Sequence, residues 1–151
     1  MGLFDIFKKS QTIQDDFFGK LTFISFKDPT MNCFEGKGKF KPTGDTIEYT
    51  IEADLSGPTN DQRNFYNKVQ DLYDEIISKI TPLIEDEFKN WKEDFKIKDF
   101  KKEFKLVAVT IPRLSSNAAT WAMSFETIHD NNHQVTVDFK DFEPEGILID
   151  G

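Results

Sequence analysis

The chain has a single cysteine, Cys33. No disulfide can form within it and no cysteine-based metal cluster can be built by one chain, which fits a reducing compartment and a cytoplasmic location. No apolar run approaches the roughly 20 residues of a membrane-spanning helix. The opening Met1 to Lys9 is no secretory signal, because Asp5 interrupts its apolar stretch and the lysines follow that stretch. Nor is it a myristoylation site, since Ile6 stands where Ser or Thr is needed. Glycine-rich phosphate loops, metal-ligand spacings and nucleophile elbows are all missing, so no motif assigns a catalytic residue, a metal or a cofactor. Positive charge is short as well. With 19 Lys and Arg against 27 Asp and Glu the formal charge is -8, which argues against nucleic acid as a partner and leaves a basic protein as the complementary one.

Aromatic residues, by contrast, are plentiful: 16 phenylalanines mark a core filled by rings. A helix pattern lies between two runs of strand pattern. Phe65, Val69, Leu72, Ile76 and Ile80 recur at steps of three and four, whereas Ile47, Tyr49, Ile51 and Ala53 before them alternate at period two. Trp121, Met123 and Phe125 after them alternate likewise. The chain is expected to have a leader and linker over residues 1–14 and one α+β domain over 15–151. That domain has a mainly antiparallel sheet of about six strands, with a long helix inserted between two three-strand halves and packed on one face.

The first strand is expected over about Phe17 to Phe26, the second over Cys33 to Lys41 and the third over Thr46 to Asp54, around a Pro42 to Asp45 turn. Setting Lys41 against Thr46 puts Phe40 opposite Ile47, Gly38 opposite Tyr49 and Gly36 opposite Ile51. Thr59 and Gln62 form a capping box for a helix running to about Ile80, with Leu72 and Ile76 almost fully buried. At Pro82 this helix either ends, with a second one following, or kinks. Residues 92–105 fit neither period. Strands resume over Phe104 to Ile111, Ala119 to Ile128 and Gln134 to Lys140. In the last hairpin, facing Thr127 with Val135, Phe125 with Val137 and Met123 with Phe139 makes Asp130-Asn131-Asn132 the loop. The tail from Gly146 to Ile149 adds an edge strand or stays loose.

Several residues were weighed for chemistry. In this register His129 and His133 lie opposite each other, but two imidazoles with Asp130 make a poor zinc site and read as turn residues. Cys33 beside Glu35 reads as a buried strand residue. Arg113, Ser115, Ser116 and Asn117 read as a polar connection, and Lys96, Lys98, Lys101, Lys102 and Lys105 as a solvated face diluted by Asp94, Asp99 and Glu103. The rival reading is a small-ligand enzyme, such as a hydrolase, that uses the 113–117 loop or the His129 and His133 pair. The leading reading is a non-enzymatic binder whose acidic groups meet a basic protein. Its candidates are Asp71, Asp74, Glu75, Glu85, Asp86 and Glu87 on the helices, with Asp141, Glu143 and Glu145 on the tail.

Asp15 to Leu21 at the first strand, Phe34-Glu35-Gly36 at the second, Ser56-Gly57-Pro58 before the helix and the closing Gly146 to Gly151 resemble a bacterial domain family of unknown function. The resemblance implies a small cytoplasmic bacterial protein. By analogy with comparable acidic families, it implies an immunity-like role against secreted toxins. It carries over no catalytic residue.

Overall fold

The computed structural model describes residues 11–115 and 118–150, apart from the side chain of Asp150. Its centre is one sheet of eight strands in sequential order: β1 (Thr12–Asp15), β2 (Gly19–Ile24), β3 (Cys33–Phe40), β4 (Asp45–Glu52), β5 (Phe104–Ile111), β6 (Thr120–Thr127), β7 (Asp130–Lys140) and β8 (Glu143–Asp150). All neighbours pair antiparallel except β4 with β5, which are parallel. A parallel pair needs a crossover, and the chain supplies it with helices α1 (Asn60–Asp71) and α2 (Tyr73–Phe88) and a short α3 (Phe100–Glu103). This is an α+β fold with a mainly antiparallel sheet, as expected, but the insertion is three helices and not the one long helix expected. The sheet is larger than the six strands expected.

The two added strands lie at its edges. Thr12 to Gln14, expected as linker, belong to β1, and the tail forms β8. The single strand expected over Phe17 to Phe26 is instead a hairpin. Asp15 explains it: its Oδ2 accepts the N–H groups of Phe17 at 2.9 Å and Phe18 at 2.8 Å, and Gly19 follows at φ +79°. That side-chain bonding outcompetes continued ladder pairing and folds the chain back.

Both expected hairpin registers are displaced by two residues. In β3 and β4, Phe40 faces Asp45, Gly38 faces Ile47 and Gly36 faces Tyr49. The Gly44 N–H donates to the Phe40 carbonyl at 2.8 Å with φ +74°, so the turn closes over Lys41 to Gly44 and Asp45 enters the strand. A two-residue slip leaves every side chain on its expected face. Both glycines therefore still lie under a bulky side chain, but it is Tyr49 for both, where Ile51 was expected opposite Gly36. A Cβ on Gly36 would come within 2.9 Å of the Tyr49 ring, and one on Gly38 within 2.7 Å of its hydroxyl. In β6 and β7, Met123 faces Val137 and Phe125 faces Val135. The turn there is Ile128-His129, and Asp130-Asn131-Asn132, expected as the loop, lie in β7 at its bulge.

The capping box forms as expected, with Gln62 N donating to Thr59 Oγ1 at 3.2 Å and Thr59 N to Gln62 Oε1 at 3.0 Å. The Gln62 amide also donates to the carbonyls of Glu52 and Pro112, which fastens the start of α1 to the ends of β4 and β5. The helical run breaks at Leu72 and not at Pro82, which lies within α2. Pro82 is exposed, so water can serve the carbonyl it leaves unpaired, while the break turns Tyr73 inward, edge-on to Phe40 at 4.9 Å. Ile76 is buried as expected. Leu72, placed at the break, is only partly buried.

Rings fill the space between helices and sheet. Phe88 stacks on Phe95 at 4.6 Å and Trp121 on Phe139 at 4.3 Å, and Phe100 meets Phe104 at 5.0 Å. Phe95 and Phe100 come from the 92–105 segment, which crosses the end of α2 as turns and α3 before entering β5. Among the described residues no helix is long and apolar enough to cross a membrane.

Candidate functional site

The acidic candidates fall into two kinds. Asp71, Asp74, Glu75 and Asp86 are exposed on α1 and α2, and Glu143 and Glu145 are exposed on β8. Glu87 is half-buried. Two others also serve the framework, of which Glu85 does not face solvent while Asp141 stays exposed. Glu85 is buried, and its Oε2 accepts the Ile97 N–H at 2.9 Å, tying the 92–105 segment to α2. Asp141 occupies the β7–β8 turn at φ +52°, with Oδ1 accepting the Ala119 N–H at 3.1 Å and its carbonyl accepting the Trp121 indole N–H. An aspartate tolerates that left-handed backbone better than most residues.

Lys79 joins the helical and tail groups. From α2 its Nζ reaches Glu143 Oε1 at 2.6 Å, which ties the outer face of α2 to the start of β8 and brings Glu143 beside the helix. Lys101 from α3 pairs with Asp74 at 3.0 Å, and Lys89 approaches Asp86 at 3.9 Å. Among the described residues Asp71, Glu75 and Glu145 have no cation within ion-pair distance. Of the lysines of 96–105, Lys101 thus pairs with α2, whereas Lys102 approaches Asp99 of its own segment at 3.7 Å.

The histidines are held apart. His129 Nε2 meets Glu103 Oε1 at 2.7 Å, and its ring is ringed by Phe88, Phe95 and Phe104. Burial raises the Glu103 carboxyl, but the N–H groups of Asp99 and Lys98 and the His129 ring outweigh this and hold it below the ordinary range. His133 Nδ1 bonds Asp130 Oδ2 at 2.6 Å, while Asp130 Oδ1 accepts the Asn132 N–H at 3.1 Å. This local bonding builds the bulge and separates the two rings that the expected register set opposite each other. A carboxylate orients each imidazole. Among the described residues no serine, threonine or cysteine side chain is bonded to either ring; the Thr127 hydroxyl donates to the Glu103 carbonyl and accepts the His129 backbone N–H.

At the far end of β5, Arg113 pairs with Asp54 at 2.9 Å and reaches the carbonyls of Pro29 at 3.4 Å and Asn32 at 3.5 Å. It works as a latch between the β2–β3 connection and the β4–α1 connection. Ser116 and Asn117 lie outside the described residues. Cys33 is buried, and burial together with the Glu35 and Glu52 charges pushes its thiol up, the reverse of an activated nucleophile. Among the described residues no group of three or more potential metal ligands is assembled.

Sequence reasoning missed Lys79, because nothing in the periodicity tells that α2 lies beside β8. It also missed the ion pair between Asp15 and Arg63 at 2.9 Å, for which Asp15 at the head of the Asp-Asp-Phe-Phe-Gly run was the visible signal. No family model matches the chain, and neither a curated protein nor a solved structure matches it at a significant level.

Proposed function

We propose that this chain is a non-enzymatic protein-binding module, immunity-like in kind and working in the bacterial cytoplasm, whose acidic side meets a basic protein partner. The observation that carries the reading is the set of exposed carboxylates Asp71, Asp74, Glu75 and Asp86 on the helices, tied through Lys79 to Glu143 at the start of β8, with Glu145 exposed two residues on. An excess of negative charge over such a surface raises the encounter rate with a partner of opposite sign, and does so less as salt screens it beyond about 8 Å. The affinity then comes from apolar groups within the same contact. Leu83 on α2 is an exposed large apolar residue among these carboxylates.

The test begins with affinity capture and mass spectrometry, followed by stopped-flow association with the purified partner. Association is expected to slow by about tenfold or more between low and high salt. Reversing Asp71, Asp74 and Glu75 to lysine, or Glu143 and Glu145 to lysine, is expected to slow it further in whichever group forms the contact, with folding intact. Salt-independent association, or indifference to both reversals, refutes the reading.

A further inference from the structure

The two edges of the sheet are unlike. β1 offers Thr12–Asp15 alone, whereas β8 runs from Glu143 to Asp150. Pairing with β7 skips Glu145, which is a bulge, and beyond it Gly146 to Asp150 face Asp138 to Gln134 in regular order. Among the described residues no turn, loop or side-chain hydrogen bond reaches the outward N–H and carbonyl groups of residues 146–149. Side chains tell the same story: Val135 and Val137 on β7 are wholly buried, while their neighbours Ile149 and Ile147 on β8 are partly exposed. Leu148 is 55% exposed. An uncovered strand of this kind is a template for another strand.

The charges beside the edge say which strand. Gly146 lies opposite Asp138, and a Cβ placed on it would meet nothing within 4 Å. The exposed Asp138 carboxylate is therefore open to the edge across a residue without a side chain, and it has no cation within ion-pair distance among the described residues. A strand added to β8 would lie roughly 9–10 Å from β7, a gap that a lysine or arginine opposite Gly146 can bridge. Two positions along the same face Leu148 offers an apolar contact. Self-pairing is opposed by Glu145 and Asp138 beside the edge of each copy and by a net charge of -8 on both.

We propose that the outer edge of β8 accepts an extended segment of a protein partner as a ninth strand. The segment carries a basic residue opposite Gly146 and an apolar residue opposite Leu148. The inference rests on the acidic-surface reading for the basic character of the partner and adds a contact at the sheet edge, on the face opposite the one that Ile147 and Ile149 turn to the core.

The test uses the full chain and a synthetic ten-residue peptide of alternating lysine and valine with blocked ends. Its counterpart is the same peptide N-methylated at alternate residues, with unchanged charge and side chains but without strand hydrogen bonds. In an NMR titration at low salt the parent peptide is expected to shift the amides of residues 146–149 and slow their hydrogen exchange. The methylated peptide is expected to bind at least tenfold more weakly. Asp138→Asn and Gly146→Val, both at exposed or open positions, should each weaken binding severalfold with the fold unchanged. Equal binding of the two peptides overturns the proposal, as does a dimer held through β8 in sedimentation. Shifts confined to α1 and α2 overturn the edge while leaving the acidic-surface reading standing. Failure of the parent peptide to bind also overturns the edge, and the salt dependence with the natural partner then judges the broader reading separately.

Discussion

Replacing Asp15 by alanine tests the most concentrated piece of bonding in the molecule. The carboxylate is 9% exposed, accepts the N–H groups of Phe17 and Phe18, and meets Arg63 Nη2 at 2.9 Å. Each hydrogen bond to a charged group contributes roughly 1.5–3 kcal/mol when its loss strands the donor. The three do not sum. Arg63 keeps Asn60 at 2.6 Å and is partly open to water, and Phe17 is exposed, so the Phe18 N–H alone is stranded in full. The expected cost is about 2–4 kcal/mol, which in a chain of this size lowers Tm by roughly 5–15 °C. Urea unfolding followed by fluorescence, with the buried Trp121 as one reporter, measures it, and Asp15→Asn separates charge from turn bonding. Burial works against the Asp15 charge, but the Phe18 N–H, Arg63 and the Phe17 N–H outweigh it and hold the carboxyl below its ordinary 3.8. A depressed folded value means stability that is present above the unfolded pKa and is lost as pH falls through the folded one. The advantage of the native protein over Asp15→Asn should therefore be constant near neutrality and shrink below about pH 4. A loss under about 0.5 kcal/mol for Asp15→Ala, within the range of an ordinary surface substitution, would refute this account of the turn.

Two further outcomes are expected. Ile76→Ala should cost about 2–5 kcal/mol in chemical denaturation and Leu72→Ala distinctly less, because Leu72 lies at the helix break; equal costs would mean the break does not exist in solution. In an alkaline titration followed by tyrosinate absorbance, no step should appear near pH 10 while the protein is folded, since burial and the Asp15 charge push Tyr49 up to about 12, and burial raises Tyr66 and Tyr73 as well. The folded state then holds protons that the unfolded state gives up, so stability should fall above about pH 10; a native tyrosinate with an ordinary midpoint would contradict the packing described.

The expectations that held share a physical basis, and so do those that failed. Period-two alternation determines which face a residue takes, and a two-residue slip preserves it. That is why Tyr49 lies over Gly36 and Gly38 although the register differs from the expected one. The turn itself is decided by single hydrogen bonds that periodicity does not encode: Gly44 to Phe40 in one hairpin, Asp130 to Asn132 and His133 in the other. Proline was the conspicuous breaker in the helix, yet the break came where Tyr73 could be buried against Phe40 and not where one N–H was missing.

The same division runs through the candidate contact residues. A count of carboxylates reveals an acidic protein, but whether a given carboxylate faces solvent or serves the backbone depends on which segment returns to it. Glu85 is buried because residues 95–97 fold back over the end of α2, whereas Asp141 stays exposed while bonding Ala119 from the turn after β7. Both are long-range consequences of topology. Asp71, Glu75 and Glu145 are exposed, serve no backbone N–H and have no cation within ion-pair distance among the described residues, so their charge is left open to a partner of opposite sign. Gly146 makes the same argument for the edge. A glycine in a strand weakens it, and here it needs neither a positive φ nor room for a neighbouring side chain, so its visible physical effect is to leave Asp138 reachable from outside the sheet.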